Sequence, residues 1–276
     1  MLANGHCHPR VPARLAVAVA VARGRAEWRD PQARARARAA IDAIVGDVPE
    51  RDALARAHLI ESAVREELIW RPTHFDGARF AGREHAERAL ASGRGVIASF
   101  IHSGPFPALT RSLVDLTERT HAIAGSWLFA PVADPVQERR RARWLANLDQ
   151  AGVILHRAAG SYPVVADLLR SGELLVTGFD VPGPYETDFL GRRVSLASGS
   201  ARLAFETGAL VVPMWRARER WRVLTTAAPA VDPAEHGSWE ELHGTLAAIH
   251  SRWILARPAA LEDPCRPGWW GWRAAT

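Results

Sequence analysis

Residues 95–106 read Gly95-Val-Ile-Ala-Ser-Phe-Ile-His102-Ser-Gly104-Pro-Phe106. An apolar run this short, bounded by glycine at one end and Gly-Pro at the other, reads as a strand covered on both faces, here Gly95 to Phe100. The Gly-Pro pair turns the chain, and Pro105 stands near the first turn of a helix expected over 105–118. A buried strand running directly into a helix belongs to an α/β protein. In such sheets ligands bind at the carboxyl ends of the strands. His102 stands at that end.

The same texture continues on both sides. Upstream, residues 84–92 read as a helix stopped by Gly93. The stretch from Asp30 to Trp70 reads as two helices, one starting at Pro31 and one after Pro49, the second halted by Pro72. Downstream, strands are expected at 121–126, 153–156, 173–177, 210–215 and 221–226. Helices are expected at 134–150, 162–170, 200–207 and 238–255, and residues 180–199 read as a loop. Residues 1–10 lack periodicity and read as a mobile end. No repeat, low-complexity segment or linker divides the chain. The expected architecture is a single α/β domain with a mixed, mostly parallel sheet flanked by helices and a helical N-terminal layer. Residues 1–29 form an N-terminal extension, 30–255 the core and 256–276 a Trp-rich tail.

Composition narrows the classes. The 276 residues are 48% hydrophobic and 24% charged, an ordinary globular balance. Two cysteines, Cys7 and Cys265, exclude a disulfide scaffold and fit a reducing, cytoplasmic setting. All 35 basic residues are arginine, and the net charge of +5 favours acidic partners. The longest apolar run, Leu15–Ala22, falls short of the roughly 18 residues a membrane span needs. It reads as a short buried or interfacial helix, so the protein is expected to be soluble or peripherally membrane-associated.

At the strand end, His102 is either a general base or a histidine that caps the strand by hydrogen bonding. Ser103 has no G-x-S-x-G elbow around it, and the chain contains neither a G-x-G-x-x-G nor a P-loop. No metal or redox cofactor is expected; His6, Cys7 and His8 are adjacent, a spacing that rarely completes a site. The helix 134–150 carries Arg139, Arg140, Arg141 and Arg143, which form a solvated face or a docking surface for an acidic carrier protein. Gly268-Trp-Trp-Gly-Trp-Arg273 either packs over the core or sits at a lipid interface. A nucleic-acid partner is not expected, because basicity alone argues for one.

Residues 93–106 resemble the block around the catalytic histidine in the lysophospholipid acyltransferase superfamily. The likeness is strongest to the lipid A lauroyl/myristoyl and phosphatidylinositol mannoside acyltransferases. It continues through residues 170–215 in Asp180, Asp188-Phe189-Leu190-Gly191-Arg192, Gly199-Ser-Ala-Arg202-Leu-Ala204, Thr207-Gly-Ala209 and Val211-Val-Pro213. Two departures stand out. The family's H-x4-D/E carboxylate falls on Pro107, and the arginine of its Y-R-P-like stretch is absent from Leu128-Phe-Ala-Pro131.

The resemblance implies a glycerol-phosphate-acyltransferase-like fold and transfer of an acyl group from acyl carrier protein or coenzyme A to a hydroxyl or amine of a small-molecule or lipid acceptor. It makes His102 the base, and the N–H groups of residues 103–106 the oxyanion donors. Asp180, or else Asp115, would replace the missing acid. Ser103, Gly104, Phe106, Phe189, Gly191, Arg192 and Arg202 would bind substrate, and the helices at 50–70 and 105–118 would line an acyl channel. The lost carboxylate leaves two alternatives open. One is a tailoring enzyme of secondary metabolism that condenses, cyclises or hydrolyses a carrier-bound chain. The other is a non-catalytic lipid- or carrier-binding descendant.

Overall fold

The structure, a computed structural model, describes residues 6–8, 10–75, 78–105, 107–117, 119–130 and 132–265. Phe106 and the Trp-rich stretch 268–273 lie outside the described residues.

Three helices come first, α1 (Ala13–Glu27), α2 (Pro31–Val45) and α3 (Arg51–Leu68). Then follow β1 (Arg79–Ala81), α4 (Arg83–Ala91), β2 (Val96–Phe100), α5 (Pro107–Val114), β3 (Thr120–Ala124), α6 (Pro135–Gln150) and β4 (Val153–Arg157). The chain continues through α7 (Tyr162–Arg170), β5 (Leu174–Gly178), β6 (Pro182–Phe189), β7 (Arg192–Leu196) and α8 (Gly199–Thr207). It closes with β8 (Leu210–Glu219), β9 (Arg222–Ala227) and α9 (Trp239–Ala256). Helix boundaries follow local chemistry. Asp30 accepts from the Gln32 N–H at 3.0 Å ahead of Pro31, and Asp134 accepts from the Val136 N–H at 2.7 Å ahead of Pro135.

Seven strands form the main sheet in the order β1-β9-β8-β2-β5-β3-β4. All neighbours are parallel except β8 and β9, which pair antiparallel. Every residue of β2 is buried, as a central strand with both faces covered should be. Ile97 and Ile101 face a core built with α2, α7, α8 and α9. Val96, Ala98 and Phe100 face a second core with α4, α5 and α6. The fold is therefore α/β, a mostly parallel mixed sheet between helical layers.

The expected loop at 180–199 is instead a hairpin of β6 and β7. Its Pro182-Gly-Pro184 start reads as loop, yet Glu186 to Phe189 alternate exposed and buried, the strand period. The two-residue turn Leu190-Gly191 has φ of 55° and 71°, the left-handed pair a type I′ hairpin turn requires. The helix expected over 105–118 occupies only Pro107–Val114. The three-residue edge strand β1 was too short to register as a pattern.

Val17 and Ala20 of α1 pack against Val64 and Leu68 of α3, with Phe75, Ala108 and Val223. Residues 6–8 are not a free end, contrary to expectation. His6 and Cys7 are buried, with the Cys7 N–H donating to Glu67 and Arg71 donating to the carbonyls of Cys7, His8 and Val11. No helix among the described residues is long and apolar enough to cross a membrane.

Candidate active site

Strand register builds the site. Phe100 of β2 is paired with Gly178 of β5 on one side and with Met214 of β8 on the other. Two residues beyond each of these stand Asp180, His102 and Arg216. Three parallel strands thus deliver an acid, an imidazole and a guanidinium side by side at the carboxyl edge of the sheet.

His102 Nδ1 lies 2.7 Å from Asp180 Oδ1, and the His102 backbone N–H donates to Asp180 Oδ2 at 2.9 Å. The Asp180 carboxyl is fully buried, while the imidazole keeps 19% of its side-chain surface exposed. One carboxylate therefore grips both the main chain and the ring of His102. Removal from water leaves that grip little competition. Asp115, the other candidate acid, is exposed beyond the end of α5. α5 begins at Pro107, where the missing N–H costs a helix nothing.

The chain reverses tightly at His102. The Ser103 N–H donates back to the Ile101 carbonyl at 2.7 Å, and the Gly104 N–H donates to Ala260 at 3.1 Å. The segment after α9 runs along this turn: Leu261 bridges to Ser103, and the Glu262 N–H donates to the His102 carbonyl at 2.8 Å. The N–H groups of Ser103 and Gly104 are thus bonded within the protein rather than presented to an oxyanion, a correction to the expectation. Pro105 has no N–H. Gly104 has a φ of 57°, and its Cβ, if it had one, would press on the Arg216 backbone at 3.1 Å.

Arg216 is completely buried. Its Nε donates to the Ser103 carbonyl at 2.8 Å, and Nη2 to the Ile101 carbonyl at 2.9 Å. Burial pulls this guanidinium down to about 9, against the upward pull of the Glu262 and Asp180 carboxylates, so it remains a cation at neutral pH. The Phe100 ring touches both neighbours, 5.1 Å from the His102 ring centroid and 5.2 Å from the guanidinium carbon. Behind the sheet, His250 Nε2 lies 3.1 Å from Ser99 Oγ, and His243 stacks on Phe179 at 4.8 Å. Burial pushes His250 down to about 3 and His243 to about 4, so both are neutral.

The other expected positions lie apart from this edge. Phe189 is buried in the core, 5.8 Å from Phe179. Gly191 is the exposed hairpin turn, and Arg192 donates to the Asp42 carbonyl on α2. Arg202 lies over Trp239, 4.1 Å from its ring centre. On α6, Arg139 is exposed, whereas Arg140 lies 3.5 Å from Glu66 and Arg141 forks onto Glu138. That fork pulls the Glu138 carboxyl down to about 2. Among the described residues no three His, Cys, Asp or Glu side chains are grouped to hold a metal.

Sequence reading missed Arg216, the Ser99–His250 pair and the segment 258–262. Arg216 left little signal, because it opens the charged stretch Arg216-Ala-Arg-Glu-Arg220 and reads like the solvated end of a strand. The others leave none, since their partners are more than a hundred residues distant in the chain.

No family model matches the chain, and no curated protein does. Among solved structures, the crystal structure of the 1-acyl-sn-glycerophosphate (LPA) acyltransferase PlsC from Thermotoga maritima is similar at 18% identity and a TM-score of 0.43, over 71% of this chain and 80% of that one.

Proposed function

We propose that this protein is an acyltransferase that moves an acyl group from a thioester, on acyl carrier protein or coenzyme A, to a hydroxyl or amine acceptor. The observation that carries the reading is the 2.7 Å contact between His102 Nδ1, in the block that resembles the family's histidine motif, and the buried Asp180 carboxyl of the second resembling stretch. A proton on Nδ1, held by the carboxylate, leaves the Nε2 lone pair as the basic site.

In the proposed reaction Nε2 takes the proton of the acceptor O–H or N–H as its heteroatom attacks the thioester carbonyl. The C–O or C–N bond forms, the C–S bond breaks, and the imidazolium returns its proton to the departing thiolate. Asp180 stabilises the imidazolium while that charge lasts and holds the ring on its line of attack. The family's H-x4-D/E geometry is thereby served from β5 instead of α5. Arg139 is the exposed arginine of α6 best suited to meet an acidic carrier protein.

Thiol release from lauroyl-CoA and from lauroyl-acyl carrier protein tests the reading. His102→Ala should lower kcat by about 10²- to 10⁴-fold with the fold intact. Asp180→Asn should fall in the same range, because the amide has one acceptor oxygen where His102 uses two and carries no charge to offset the imidazolium. A folded His102→Ala variant with wild-type turnover would rule out the mechanism.

A further inference from the structure

We propose that Arg216 is a positioning residue for His102, its guanidinium standing in for the strand ladder that β2 loses at its carboxyl end. This rests on the reading of His102 as the base. The pairing of β2 with β8 ends at Phe100 and Met214, whereas β8 runs on to Glu219 against β9. Beyond that point the carbonyls of Ile101 and Ser103 accept from Nη2 and Nε of Arg216. The Arg216 backbone N–H also donates to Ser103 Oγ at 3.2 Å. One arginine therefore holds the residues on either side of His102, and Asp180 holds His102 itself.

A buried cation is expensive to place in a core, and an apolar side chain of similar volume would serve packing as well or better. What the guanidinium adds is geometric and electrostatic. Its planar fork fixes two carbonyls in one plane, which a flexible ammonium cannot do. Its charge also stands against the Phe100 ring, which the imidazole contacts as well. The charged and titratable groups around this edge are Asp180 at the end of β5, Glu262 beside the turn, Arg65 and His58 on α3, and His243 and His250 on α9. Arg216 is the cation bonded directly to the main chain that carries the imidazole.

The test reads His102 without turnover, by the low-field NMR signal of its Nδ1–H in Arg216→Gln and Arg216→Lys. Both substitutions lose the fork. Both should therefore weaken that signal, with kcat for lauroyl-CoA down on the order of tenfold and KM unchanged. A folded Arg216→Gln protein with wild-type kcat and an unaltered Nδ1–H signal overturns the proposal. If the glutamine variant does not fold, Arg216→Lys decides, and wild-type kcat with a wild-type Nδ1–H signal overturns it. Absence of thiol release from either donor by the unaltered protein would overturn acyl transfer alone, since the NMR signal does not depend on it.

Discussion

At His102 the ring is hemmed in by the neighbouring strand. A Cβ at Gly178 would lie 3.0 Å from His102 Cε1 and 3.1 Å from Val181 Cγ1. Either the imidazole or the valine must move to admit it. Gly178→Ala should therefore fold with little loss of stability but displace the ring from Asp180, lowering kcat by about 10- to 100-fold. Steady-state thiol release checks it, together with the low-field His102 signal; unchanged values for both would show that the site tolerates the methyl. His102 itself was legible as a strand-end histidine. Asp180 was legible as the acid following the third strand after it, in a sheet whose strand ends converge. Arg216 was not, because an arginine that opens a charged stretch reads like a solvated strand end until its neighbours are known.

Among the elements, α1 and α3 meet closely at Gly24. A Cβ on Gly24 would lie 2.6 Å from Ile60 Cα and 2.9 Å from the Leu59 carbonyl oxygen, both main-chain atoms that no side-chain rotation can clear. Gly24→Ala should raise intrinsic helix propensity yet destabilise the protein by about 1–3 kcal/mol, as overpacking does. Urea unfolding monitored by circular dichroism checks the sign, and a stabilised variant would mean that the helices separate freely. The LAVAVAVA run was legible as a helix. Its packing was not, since alanine and valine at these spacings suit a membrane surface, an unpaired face or a helix contact alike. The hairpin β6–β7 was missed for a related reason. Prolines and glycines at its start outweighed a period-2 alternation that persists for only a few residues.

For the molecule as a whole, three buried histidines set a pH dependence. Burial lowers His58 to about 4, His243 to about 4 and His250 to about 3, all from an ordinary 6.5. Each is neutral when folded and protonates once unfolded below pH 6.5, so the unfolded chain binds more protons as acid is added. Stability is therefore complete above about pH 6.5 and declines toward pH 4. The slope is on the order of 1 kcal/mol per pH unit for each proton taken up. Urea midpoints measured from pH 7 to pH 5 should fall steadily, in a range where unfolded carboxylates stay mostly ionised. A flat profile over that range would mean that these rings are solvated in the folded protein.

What the sequence determined by itself is local. Short apolar runs between helical stretches specify strands and helices, Gly-Pro after Ile101 ends a strand, and a histidine is left at that end. These follow from periodicity and backbone restriction acting within a few residues. The tertiary structure decided the rest. Asp180 meets His102 across 78 residues of chain, and Arg216 meets Ser103 across 113. Those meetings depend on which strands are neighbours and on the register in which Phe100 pairs with Gly178 and Met214. Register is set by whole ladders of hydrogen bonds and by both buried faces at once. A shift of one residue would turn every side chain to the opposite face and part the acid from its base.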